Sequence, residues 1–202
     1  MKSDKIDVIP PEGMRTVMCN NEPVGYVKET GEPETDVKLA KELLIEKGLW
    51  RDTSTTEAMF GIASSFAHTA KYIYEKDLMS LPRNARGLSP FIVNASFSAE
   101  MYLKCLLKIH DTTIQTHVLT TLFKQLPNIL KNKIHKKKQE LETKFDVNQN
   151  LIFRKHLEQI NNAFVTWRYI YEKQGEQIHI PTVIFVLQVL HEVTVNEFKS
   201  KA

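Results

Sequence analysis

Residues 90–109 constrain this chain most. Read as a helix, they place Phe91, Ala95, Met101, Tyr102, Leu103, Cys105, Leu106 and Leu107 on nearly every side of its surface. A helix that is apolar all round has to be enclosed by neighbours rather than laid on a surface. The chain must therefore supply other helices to surround it, and the flanking sequence has the spacing to do so. Ser54 or Thr56 can cap a helix reaching about residue 79, with Met59, Ile62, Ala63, Phe66, Ala70 and Ile73 turned inward. Residues 82–90 form a loop and 111–116 a polar link. A short helix carrying Leu119, Leu122, Phe123 and Leu126 should stop at Pro127, followed by a lysine-rich helix to about residue 145.

From 151 to 171 the positions Phe153, Leu157, Ile160, Phe164, Trp167 and Tyr171 recur four and three apart, which predicts one continuous helix with an apolar seam. Pro181 suits the first turn of a last helix bearing Val183, Leu187, Leu190 and Phe198. The predicted fold is all-α, an up-and-down helical bundle over residues 54–199.

Residues 1–53 have a different composition and read as an N-terminal extension. Pro10, Pro11, Gly13, Pro23, Gly25, Gly31 and Pro33 forbid a long helix there. Residues 15–19 and 24–27 flank Asn20-Asn21-Glu22-Pro23 as a small hairpin would. Val37, Leu39, Leu43 and Leu44 then predict a short helix over 36–47, stopped by Gly48.

The formal net charge is only +3, but the acidic residues gather before residue 57 and the lysine surplus after it. Two cysteines, Cys19 and Cys105, have no metal-site or disulfide spacing. The first seven residues lack the apolar core of a signal peptide, and the apolar stretch 183–190 is far shorter than the roughly 20 residues of a membrane span. These features predict a cytoplasmic protein without a membrane partner.

The seven glycines are isolated, so no glycine-rich phosphate loop is present. No two histidines lie three or four apart, so neither a metal site nor a cofactor is expected. Lys131, Lys133, Lys136, Lys137 and Lys138 form either a phosphate-binding row or a solvated helix face relieved by Glu140 and Glu142. Asn94, Ser98 and Glu100 are polar positions on the apolar 90–109 helix, suited to an interhelical hydrogen-bond network or to a ligand. His117 stands at a helix start, where it can cap or brace a neighbour. Arg168 follows Trp167 at the edge of the seam and either pairs with Glu172 or offers its planar fork to phosphate.

The order of four segments carries a family resemblance: Phe60-Gly61-Ile62-Ala63, then residues 90–104, then Thr116-His117-Val118-Leu119 through Phe123, then residues 163–172 with Trp167-Arg168-Tyr169. In that order they resemble the HEPN superfamily, the higher eukaryotes and prokaryotes nucleotide-binding domain. The resemblance covers residues 54–199. It implies a bundle of HEPN type, a homodimer, and metal-independent endoribonuclease chemistry in stress, toxin–antitoxin or defence systems. The family signature is an arginine, four to six intervening residues, and then a histidine. Arg168 matches the arginine, but positions 173–175 are Lys173, Gln174 and Gly175.

The expectation is an RNA- or nucleotide-binding protein with reduced or absent ribonuclease activity. Arg168 is its candidate catalytic group, and Arg168, Asn94, Glu100 and the five lysines are its candidate binding residues. A non-enzymatic dimerisation or protein-interaction module is the alternative, with the N-terminal segment contacting a protein partner. An active ribonuclease using another base, such as His117 or His156, is the third reading.

Overall fold

The computed structural model describes residues 6–172 and 176–201. The chain divides between Thr53 and Ser54 into two compact units. Among the described residues no helix is long and apolar enough to cross a membrane.

The first unit is a hairpin with one helix. Strand β1 (Met14–Cys19) runs antiparallel to β2 (Glu22–Lys28), and Cys19 pairs with Glu22. The turn is thus only Asn20-Asn21, tighter than the four residues expected. Both asparagines have positive φ, 51° and 65°, the conformation that two-residue hairpins require and that asparagine tolerates.

Helix α1 (Pro33–Glu46) starts three residues earlier than predicted because Pro33 occupies its first turn, where a missing N–H costs nothing. Asp36 accepts the Thr30 N–H at 2.9 Å and its hydroxyl at 2.6 Å, with Arg15 3.6 Å away. After α1, Gly48 adopts φ +66°, and the Leu49 and Gly48 N–H groups return to the carbonyls of Leu44 and Ile45. That pair of bonds is the glycine-terminated helix end.

The second unit is helical. Ser54 caps α2 (Thr55–Ile73) through a reciprocal box, its side chain accepting from Glu57 N–H while the Glu57 carboxylate takes the Ser54 N–H. A π turn (Tyr74–Met79) extends α2 to the predicted end, and a 3-10 turn (Ala85–Gly87) leads into α3 (Leu88–Ile109). As its apolar circumference demands, α3 is central. It packs against α2, then α4 (Leu119–Gln125), α7 (Ala163–Arg168) and α8 (Ile180–Lys201). The lysine-rich α5 (Asn128–Leu141) lies on α8 and on α6 (Phe153–Gln159).

The single helix predicted over 151–171 is broken. It becomes α6, a turn through Asn161 and Asn162, α7, and a 3-10 turn (Ile170–Glu172). Asparagine competes for backbone hydrogen bonds and favours helix ends. Here the Asn161 side chain is engaged elsewhere, accepting the Thr120 N–H at 2.8 Å. The seam survives the break as far as Trp167, with Phe153, Leu157, Ile160 and Trp167 all buried. Tyr171 does not belong to it, being 78% exposed.

Candidate functional site

The candidate site begins from a buried charge. Glu100, in the middle of α3, is 1% exposed, and a carboxylate in that position has to be paired and hydrogen-bonded. Lys104, one turn further along α3, donates to Glu100 Oε1 at 2.6 Å. The second partner is His117, whose Nδ1 lies 3.0 and 3.1 Å from the two carboxylate oxygens. Asp111, with φ +56°, is in the left-handed region at the end of α3, and the link beyond it leads back to His117 and α4. One edge of the imidazole is fixed to Glu100 while the side chain remains 62% exposed.

The His117 ring stacks on Phe164 of α7, centroids 6.1 Å apart and planes 30° apart. The Arg168 guanidinium lies 5.1 Å from the same Phe164 ring and 5.4 Å from the Tyr169 ring. Phe164 in turn stacks on Phe97 of α3 at 5.1 Å. One aromatic ring therefore carries the imidazole and the guanidinium together. Two polar ties hold α7 in place for this: Ser89 of α3 donates to the Trp167 carbonyl at 2.8 Å, and Asn161 binds the start of α4.

Among the described residues Arg168 forms no ion pair, its Nη2 lies 3.5 Å from the Tyr169 hydroxyl, and the pairing with Glu172, one of its two readings, is absent. The helix break is the reason. Arg168 ends α7, and Glu172 follows in a separate 3-10 turn rather than one α-turn above it.

His117 and Lys104 also line a cavity of about 540 Å³, together with Lys108, Thr112, Thr113 and Thr116. Lys104 is already committed to Glu100, so the groups left for an anionic, hydrogen-bonding guest such as a phosphate ester are the Lys108 ammonium, the imidazole and three hydroxyls, beside the apolar Met59, Leu107 and Ile114. Among the described residues no three His, Cys, Asp or Glu side chains gather as ligands of a metal ion would.

The remaining predicted site residues are placed differently. Asn94 donates to the Pro90 carbonyl of its own helix at 2.7 Å. Ser98 is wholly buried and donates to the Ala63 carbonyl of α2, the interhelical bond expected for this face. On α5, Lys133 meets Glu197 at 2.5 Å, and Lys137 meets Glu140 at 2.5 Å and Glu192 at 3.2 Å. Lys138 is buried against Glu142 and donates to the Gln149 carbonyl at 2.7 Å. Lys131 donates to the Lys124 carbonyl. Of the row only Lys136, exposed, has no hydrogen bond or ion pair among the described residues. Glu140 and Glu142 relieve the face as expected, and Glu192 and Glu197 of α8 add partners that lie on another helix.

Lys173, Gln174 and Gly175, where the signature histidine would fall, lie outside the described residues. His179 is used at the start of α8, its Nδ1 2.9 Å from Thr182 Oγ1. His156 is buried edge-on to Phe185, with centroids 5.1 Å apart. Burial holds its pKa below the ordinary imidazole value, with Lys138 adding to the effect and Glu142 opposing it.

Sequence reasoning placed His117 as a brace and left it without a partner. Its partner, Glu100, lies 17 residues earlier. The available signal was a buried-helix glutamate in need of a cation and a histidine just beyond the end of that helix. No protein-family model, curated protein or solved structure matches this chain.

Proposed function

We propose that this chain is a HEPN-like protein that binds RNA or a nucleotide through its phosphate at the face shared by His117 and Arg168. The observation that carries the reading is the convergence of both side chains on Phe164, with His117 held by buried Glu100 and Arg168 without a carboxylate partner. An uncompensated guanidinium is a bidentate phosphate ligand, and the adjoining cavity adds Lys108. A cytoplasmic role in a stress, toxin–antitoxin or defence system belongs to the same proposal. So does a homodimer that sets two copies of this face across one cleft, and its test is sedimentation in solution. Contact of the N-terminal unit with a protein partner finds support in its exposed Ile9 and Val37.

A second reading, metal-independent RNA cleavage, is favoured by the Glu100–His117 pair. A carboxylate fixing one imidazole nitrogen leaves the other as a positioned base. In that reaction His117 Nε2 takes the proton of the ribose 2′-hydroxyl, and the 2′-oxygen attacks phosphorus. The P–O5′ bond breaks with its electrons staying on the departing oxygen, which takes a proton from water or from the imidazolium. Arg168 stabilises the charge gathering on the phosphate oxygens. The products are a 2′,3′-cyclic phosphate and a 5′-hydroxyl end.

Single-stranded RNA titrated at two ionic strengths tests binding, because phosphate contacts weaken steeply with salt. Saturable, salt-sensitive binding supports the proposal; no binding at low salt overturns it. Incubating the same RNA with chelator present tests cleavage. Cyclic-phosphate ends formed by the native chain and lost in His117→Ala establish the second reading, and intact RNA rejects it.

A further inference from the structure

Away from Phe164, α2, α3 and α8 enclose another cavity, of about 400 Å³, that shares no lining residue with the one beside His117. Small side chains make the space, Ala67 and Ala70 on α2, and Phe91, Tyr74 and Leu187 supply apolar walls. The Tyr74 and Phe91 rings pack together at 5.6 Å between centroids. Beside these walls stands a polar chain drawn from all three helices. The buried Tyr102 hydroxyl lies 3.3 Å from Ser64 Oγ and 2.6 Å from His191 Nδ1.

Burial raises the pKa of the Tyr102 phenol, and burial with His68 nearby lowers that of His191 against the opposing pull of Glu192. We take the order in which Tyr102 donates to Nδ1, Ser64 donates to the phenol oxygen, and the ring carries its own proton on Nε2. Nε2 has no protein partner among the described residues and is not among the sealed, unpaired atoms. In that order His191, which lines the cavity, offers an N–H donor supported by two further hydroxyls, whose aligned bonds strengthen one another. Lys71 and Glu75, also on its wall, pair with each other at 3.8 Å and offset each other's charge.

We propose that this cavity is a second binding site, for a small uncharged molecule with an apolar, ring-sized body and a hydrogen-bond acceptor that meets His191 Nε2. Its size falls within the range of sites that bind small molecules, and apolar walls with a few directed polar groups are their usual lining. A wholly apolar guest would leave the N–H unmatched, and an anionic one would meet Glu75 on the wall.

Benzamide, uncharged and carrying one carbonyl, is a suitable probe. It would be titrated into the full chain while following the His191 ring nitrogens and the Ala67 and Ala70 methyl groups by NMR. Toluene, without an acceptor, and benzamidinium, charged, serve as comparisons. The expected result is saturable binding of benzamide with coupled shifts at His191 Nε2 and both alanines, and binding at least about tenfold weaker for toluene and benzamidinium. Tyr102→Phe keeps the ring and removes the link to His191, and should weaken benzamide about tenfold. Ala67→Phe fills the space and should abolish binding. Absence of saturable shifts in the native chain overturns the proposal, as does equal affinity for the three probes. The native titration decides the matter even if a variant fails to fold.

Discussion

Glu100 is the residue on which the candidate site turns. It sits in a helix chosen for enclosure, yet it is ionisable, so its two oxygens have to be used. Lys104 and His117 use them, and His117 gains a fixed orientation in return. Glu100→Gln preserves the volume and removes the charge. Hydrogen bonds to charged groups are worth about 1.5–3 kcal/mol, so the substitution should lower unfolding stability by about 2 kcal/mol in denaturant titration. A loss near zero would mean that the carboxylate is not held by these partners. The face was partly legible from sequence: Arg168 and Glu100 are singled out by being polar beside apolar positions. His117 was recognised but unpaired, because the contact joins the α3 helix to a residue beyond an irregular link, and no periodicity spans such a link. The lysine row was legible only as two alternatives. Its carboxylate partners include Glu192 and Glu197 on α8, more than fifty positions away in the chain.

At the level of elements, caps and breakers were the readable signals. Ser54, Gly48 and Pro127 all mark ends that the structure observes, whereas Pro33, read only as a breaker, opens α1. The helix over 151–171 was misread because apolar spacing reports which face is buried and not whether the backbone is continuous. Phe153 through Trp167 keep one buried face across the Asn161-Asn162 turn. Gly87 was not legible at all. It enters α3 beneath the π turn, and a Cβ there would sit 2.7 Å from Asp77 Cβ and 3.2 Å from Ile73 Cγ2. The first of these atoms is next to the backbone and cannot swing aside. Overpacking of this kind costs about 1–3 kcal/mol, so Gly87→Ala should lower the melting temperature although its φ of −69° suits alanine. An unchanged melting temperature would show that the π turn yields.

For the helical unit as a whole, three histidines make stability depend on pH. Burial is the leading cause that lowers the pKa of His135, His156 and His191. In the unfolded chain these imidazoles titrate near 6.5. As pH falls through that value the unfolded state takes up protons before the native state does. Their contribution to stability is therefore complete above about pH 6.5 and is lost as pH falls toward the depressed native values. The melting temperature should be lower at pH 5.5 than at pH 7.5, with a smaller difference in His156→Leu. A pH-independent melting temperature across that interval would contradict the burial of these rings.

The central claim is that phosphate is met at the Phe164 face and not along α5. The direct test compares the affinity of Arg168→Ala and Lys133→Ala for single-stranded RNA at low salt. Arg168→Ala should weaken binding about tenfold, near 1.4 kcal/mol, whereas Lys133→Ala, already paired with Glu197, should change it little. The reverse order, or equal affinity for the native chain and Arg168→Ala, would contradict the account.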